Sequence, residues 1–128
     1  MFEQTDAFSS FAVTSKTDAM HFYGDVLGCD AEATTDGIEL HFPNGNTIFI
    51  YEKSAHEPAA FTVLNFPVDD IEKAVSDLTA KGIRMLIYDD LPFEQDGLGI
   101  LRGKVVGMGP DIAWFSDPSG NVLSVIEE

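Results

Sequence analysis

Small and apolar residues crowd the segment 7–14 (Ala-Phe-Ser-Ser-Phe-Ala-Val-Thr), which predicts a strand. Ser15 follows as an N-cap with Asp18 three residues on, and Ala19, Met20, Tyr23, Val26 and Leu27 form a helical stripe that Gly28 ends. Two short strands, 29–34 and 38–42, meet at the hairpin dipeptide Asp36-Gly37. A turn at Pro43-Asn44-Gly45 leads into a fourth strand at 46–52, and polar residues 53–59 read as a joint. The order then starts again. Residues 61–68 predict a strand, Asp70 caps a helix, and Ile71, Ala74, Val75 and Leu78 take the i, i+3, i+4, i+7 spacing before Gly82. A strand at 83–88, a long Gly-rich stretch at 90–110, a strand at 111–116, the turn Asp117-Pro118-Ser119-Gly120 and a last strand at 121–126 complete the chain.

The halves superpose in sequence. Val13 and Val68, Ser15 and Asp70, Ala19 and Ala74, and Tyr23 and Leu78 each lie 55 residues apart. Towards the ends, Pro43-Asn44-Gly45-Asn46 aligns with Pro118-Ser119-Gly120-Asn121 at a separation of 75. About twenty extra residues in the second half account for the change, and the 90–110 stretch has room for them. An internal duplication of a βαβββ unit is the expectation: an α+β chain, one domain over 1–128, with modules at 7–52 and 60–128 and a mobile Gly-rich flap at 90–110.

Composition narrows the partners. Seven Lys and Arg against 22 Asp and Glu give a formal net charge of −15, which disfavours nucleic acid and anionic membrane and suits a cationic or neutral guest. No apolar run reaches the ~20 residues of a membrane span, and the N-terminus has no basic start or apolar signal core. A single cysteine, Cys29, excludes an internal disulfide and fits a cytoplasmic setting. Cys29 itself reads as a structural thiol. No phosphate-cradling loop, Gly-x-Ser-x-Gly or His-Glu-x-x-His is present.

Three local patterns in this duplicated frame carry a resemblance. They are Phe22-Tyr23-Gly24-Asp25-Val26-Leu27-Gly28, Val68-Asp69-Asp70-Ile71, and Trp114-Phe115-Ser116-Asp117-Pro118-Ser119-Gly120-Asn121. Together, over nearly the whole chain, they resemble the vicinal-oxygen-chelate superfamily of glyoxalases, bleomycin-resistance proteins and extradiol dioxygenases. The resemblance implies paired βαβββ modules, a cup-shaped mixed sheet with helices outside, and a homodimer. It also implies divalent-metal ligands on the first and fourth strands of each module, at or near Phe8, Phe49, Val63 and Ser124.

None of those four is a usual metal ligand, and their neighbours in sequence restore no set. The expectation is an apolar cleft with no metal and no cofactor, holding a small organic ligand through Phe8, Ser10, Phe49, Tyr51, Val63, Asn65, Trp114 and Ser124. Ser10 and Asn65 would orient the guest by hydrogen bonds, and Tyr51 and Trp114 would supply aromatic walls. No catalytic residue stands out. Glu39 and His41 alternate on the third strand and so face one way, a spacing that could serve a displaced metal, but with no third partner visible the favoured reading is a half-exposed strand face with His41 bonded to a neighbour or water. His21 and His56 read as surface residues. Arg102 and Lys104, in the flap, are candidates for a carboxylate on a guest or partner, or for plain solvation. Three functions remain open: sequestration of a small molecule, a lyase, isomerase or dioxygenase with non-standard metal ligands, or a protein-interaction module whose cleft is filled by Phe8, Phe49 and Trp114.

Overall fold

The computed structural model describes residues 1–128, which form two compact units, Met1–Glu57 and Pro58–Glu128. In the first, β1 (Ser9–Val13) leads into α1 (Lys16–Met20) and a π-helical segment (His21–Val26). Three strands follow, β2 (Asp30–Ala33), β3 (Ile38–His41) and β4 (Thr47–Glu52). The sheet order is β1-β4-β3-β2, with β1 parallel to β4 and the other pairs antiparallel. In the second unit β5 (Thr62–Pro67), α2 (Ile71–Ala80), β6 (Leu101–Arg102), β7 (Asp111–Ser116) and β8 (Val122–Glu127) form a sheet of order β5-β8-β7-β6. Both units are βαβββ modules, so the α+β two-module architecture expected from the duplicated pattern is present.

The duplication extends to individual pairings. In the first unit Ser10 pairs with Phe49 and Phe11 with Ile50. In the second, Asn65 pairs with Ser124 and Phe66 with Val125. The separations of 55 and 75 residues hold across both ladders, and Glu39 opposite Phe49 likewise corresponds to Trp114 opposite Ser124. Both caps recur too: the side chain of Ser15 accepts from the Asp18 N–H at 3.1 Å, and that of Asp70 from the Lys73 N–H at 3.1 Å.

Each helix covers one face of its own sheet. Phe11, Ile38, Leu40 and Ile50 are buried with Ala19, Phe22 and Tyr23 in the first unit, where the Tyr23 ring lies 5.9 Å from that of Phe11. Burying side chains of this size contributes about 1.5–3 kcal/mol each. The helix predicted over 15–28 widens after Met20, with the Leu27 N–H reaching the Phe22 carbonyl at 2.9 Å. This wider turn accommodates Phe22 and Tyr23, adjacent in sequence and both buried. The expected hairpin closes where the Thr34 N–H meets the Gly37 carbonyl at 2.7 Å. Gly37 is required there, because a Cβ would lie 2.1 Å from the Ile50 carbonyl oxygen. In the second unit Ile71, Val75 and Leu78 bury the α2 stripe as its spacing predicts.

One expected strand is absent. Residues 83–88 form no strand, although the Leu86 N–H reaches the Trp114 carbonyl at 2.8 Å. The side chain of Gln95 takes the place of a neighbouring strand, accepting from the Tyr88 N–H at 2.8 Å and donating to the carbonyls of Leu86 and Gly99 at 2.9 and 2.7 Å. The edge strand is instead β6, drawn from the Gly-rich stretch expected to be a flap. That stretch is tied down. The Arg102 guanidinium meets Glu72 at 2.5 Å, Asp96 at 2.9 Å and the buried Asp111 at 3.4 Å, and Lys104 pairs with Glu127. Neither cation is left to simple solvation.

The Asp117-Pro118-Ser119-Gly120-Asn121 turn is built around the buried Asp117 carboxylate. It accepts from the Ser119 and Asn121 N–H groups, both at 2.9 Å, and from the Asn121 side-chain amide at 2.8 Å. Asp117→Ala removes these bonds and leaves buried donors unpaired, so urea unfolding should show a loss of about 2–4 kcal/mol. A second prediction concerns acid. Burial opposes ionisation of Asp96, but hydrogen bonds from the Ile100 N–H, Arg102 and the Leu98 N–H prevail and hold its carboxyl below the ordinary 3.8. Hydrogen bonds from Lys104 and the Ile71 N–H hold Glu127 below 4.5. Lowered folded-state values mean that this stabilisation is complete above the ordinary carboxylate range and is lost as pH falls through it and below. Thermal stability should therefore be flat above about pH 5 and fall at lower pH, more gently in Arg102→Met, whose Asp96 has lost one of those donors.

Candidate functional site

The faces of the two sheets turned away from their helices carry most of the candidate residues. In the first unit, pairing puts Ser10 and Glu39 on either side of Phe49. Tyr51 lies two residues further along, and its ring stacks on that of Phe49 at 6.2 Å and 17°. Phe8 comes just before β1 and is 68% exposed. An open groove of about 790 Å³ runs along this end of the sheet, its lining including Asp6, Phe8, Glu39, Thr47, Ile48 and Phe49. That volume is in the range of small-molecule sites. Hydrocarbon forms much of the wall, two carboxylates flank it, and no Lys or Arg lines it.

Beside the groove, His41 makes a cluster that sequence reading found only in part. Its Nε2 lies 3.1 Å from the Glu32 carboxylate and 3.5 Å from that of Glu39, while its Nδ1 lies 3.3 Å from the Thr47 hydroxyl. Glu32 is the residue that was missed. Counting outward from the Thr34–Gly37 turn pairs it with Glu39, so the signal lay in the hairpin register. Asp6 and Thr47 were also overlooked, since neither alternates visibly with an apolar partner.

In the second unit Asn65, Ser124 and Trp114 are adjacent across β5, β8 and β7. The buried Ser124 hydroxyl donates to the Asn65 amide oxygen at 2.5 Å, and Trp114 meets Tyr88 edge-on with ring centres 5.5 Å apart. Val63 sits where the β5–β8 register shifts between Thr62 and Leu64. At the four positions where the resemblance implies ligands stand two phenylalanines, a valine, and a serine whose hydroxyl already donates to Asn65. Such a set does not fit a transition-metal ion, which needs imidazole, carboxylate or thiolate groups.

The remaining candidates have local roles. His21 pairs with Asp25 at 3.0 Å on the exposed side of the π-helical segment. Arg102 and Lys104 are engaged by carboxylates of their own unit. No helix is long and apolar enough to cross a membrane.

Residues 10–125 match the family model of the glyoxalase/bleomycin resistance protein/dioxygenase superfamily. The chain belongs to this superfamily. No curated protein sequence matches it. Among solved structures, a glyoxalase family protein from Enterococcus faecalis is similar at 20% identity and a TM-score of 0.65, covering 99% of this chain and 100% of the other. TnmS3, an antibiotic binding protein from Streptomyces sp. CB03234, is similar at 19% identity and 0.62, covering 97% of each chain. The fosfomycin resistance protein FosX from Listeria monocytogenes is similar at 11% identity and 0.67, covering 98% and 93%. At these identities the likeness is one of fold.

Cys29 offers a check on the one thiol. It is half-buried, and desolvation raises its pKa above the ordinary 9.0. Labelling by a thiol reagent at pH 8 should be slower in the folded protein than in urea, and should speed up as pH rises past 9. Equal rates in the two states at pH 8 would contradict a structural thiol.

Proposed function

We propose that this superfamily member binds a small organic molecule, aromatic or cationic, and holds it without a metal ion at the positions its enzyme relatives use. The observation that carries the reading is the composition of the first unit's groove: Phe8, Ile48 and Phe49 as apolar surface, with Asp6 and Glu39 beside it. The stacked Phe49 and Tyr51 rings present a face for a flat guest, and aromatic faces attract cations by about 0.5–2 kcal/mol. Carboxylates along the wall and a formal net charge of −15 favour positive charge in the guest. On their respective sheets Ser10 and Asn65 supply polar groups for orientation, and Trp114 a second aromatic surface. The antibiotic-binding name of one structural neighbour is compatible with this role. We take the protein to act in the cytoplasm as a homodimer.

Calorimetry with a panel of aromatic cations, in the presence of a strong chelator, tests the proposal. Micromolar binding without turnover is expected, with a matching rise in unfolding temperature. Phe49→Ala should weaken it about tenfold or more, which corresponds to about 1.4 kcal/mol. A panel in which no compound stabilises the fold would count against sequestration. So would binding that disappears when the chelator is added.

A further inference from the structure

We propose that Glu32, Glu39 and His41 form a divalent-cation site on the β2–β3 hairpin, away from the β1 and β4 positions at which the superfamily's enzymes carry their ligands. One donor atom from each residue lies within 4.8 Å of the other two, and His41 Nε2 stands 3.1 and 3.5 Å from the two carboxylates. Ligands about 2.0–2.1 Å from a tetrahedral ion are separated from one another by about 3.3 Å, midway between those two distances. The two carboxylates, whose donor oxygens lie within 4.8 Å of each other, would need only to close on a common point beside Nε2.

Three features favour occupancy. Glu32 and Glu39 are direct cross-strand partners, an arrangement in which two like charges repel. The only basic group within ion-pair distance of either carboxylate is the His41 imidazole. A divalent ion relieves this repulsion more fully than one imidazole can. The Thr47 hydroxyl at His41 Nδ1 holds the ring so that Nε2 faces the carboxylates, the kind of outer support that metal-binding histidines have. The hairpin also fixes the spacing, since Glu39 and His41 lie on one strand and Glu32 on its neighbour.

One nitrogen and two carboxylates suit zinc, manganese, cobalt or nickel better than calcium, which takes six to eight oxygens. Three protein ligands leave at least one coordination position for an outside oxygen donor. Glu39 and Thr47 also line the groove, so the cluster adjoins its apolar surface. The site goes beyond the guest-binding reading and stands without it: the ion alone is the probe, with no organic guest present.

The test is a titration of chelator-stripped, full-length protein with zinc chloride, and separately with manganese chloride, at 0.15 M salt. One ion per chain is expected, with a saturable isotherm. His41→Ala and Glu39→Gln should each weaken binding about tenfold or more, whereas His21→Ala, which alters only the exposed pair with Asp25, should leave it unchanged. Circular dichroism establishes that each variant is folded. If His41→Ala is not, Glu32→Gln, at an exposed position, serves in its place with the same expected loss. The site is overturned by titrations that never saturate, by several weak ions per chain that vanish with salt, or by one-to-one binding undiminished in the folded variants. Failure of the guest panel leaves this result untouched, and failure of the titration leaves guest binding in chelator untouched.

Discussion

The parallel pairing of β1 with β4, and of β5 with β8, decides which side chains share a surface in each unit. A strand alternates its side chains between two faces, so one register assignment sorts a whole strand into core and site. With Phe11 beside Ile50, the face turned to the helix is closed and apolar. The opposite face must then carry Ser10, Phe49 and Tyr51. Slipping β1 by one residue would turn Ser10 into the core, and slipping β4 would turn Ile50 out of it. The same sorting in the second unit puts Phe66 and Val125 towards α2 and leaves Asn65, Ser124 and Trp114 together.

Much of this was legible because the duplication constrains itself. The recurrence of cap, stripe and Pro-x-Gly-Asn turn at separations of 55 and 75 residues predicts the ladders, and the structure reproduces those separations pair by pair. What sequence could not show was where a side chain replaces backbone. Residues 83–88 have the apolar content of a strand, yet their backbone groups are served by Gln95, a residue with no periodic signature. Likewise the glycines of 90–110 suggested freedom, while the restraint comes from Arg102, which gathers the nearby Asp96 and Asp111 and the distant Glu72. Charge pairing of this kind depends on three-dimensional proximity. The missing member of the His41 cluster, by contrast, was recoverable from the hairpin's own arithmetic.

Function follows from what the frame keeps and what it exchanges. We take Phe8, Phe49, Val63 and Ser124 as the positions at which the superfamily resemblance implies metal ligands. Those positions hold two aromatic rings, a valine and a hydroxyl already engaged with a neighbouring amide. Such a surface favours holding a guest over polarising one. Acidic and imidazole groups of the first unit stand instead on the adjoining β3, at Glu39 and His41, and on β2 beyond it, at Glu32. On the two proposals, one face offers an apolar seat and, beside it, a place for an ion, and the two need not act together.

The most direct test of this account is a crystal structure of the protein grown with an aromatic cation in metal-free solution. The account predicts density for the guest against Phe8 and Phe49, with its charge near Asp6 or Glu39 and no ion between it and the protein. A guest held through its oxygens to an ion at the first- and fourth-strand positions, gripped by three or more nitrogen or carboxylate donors, would contradict it.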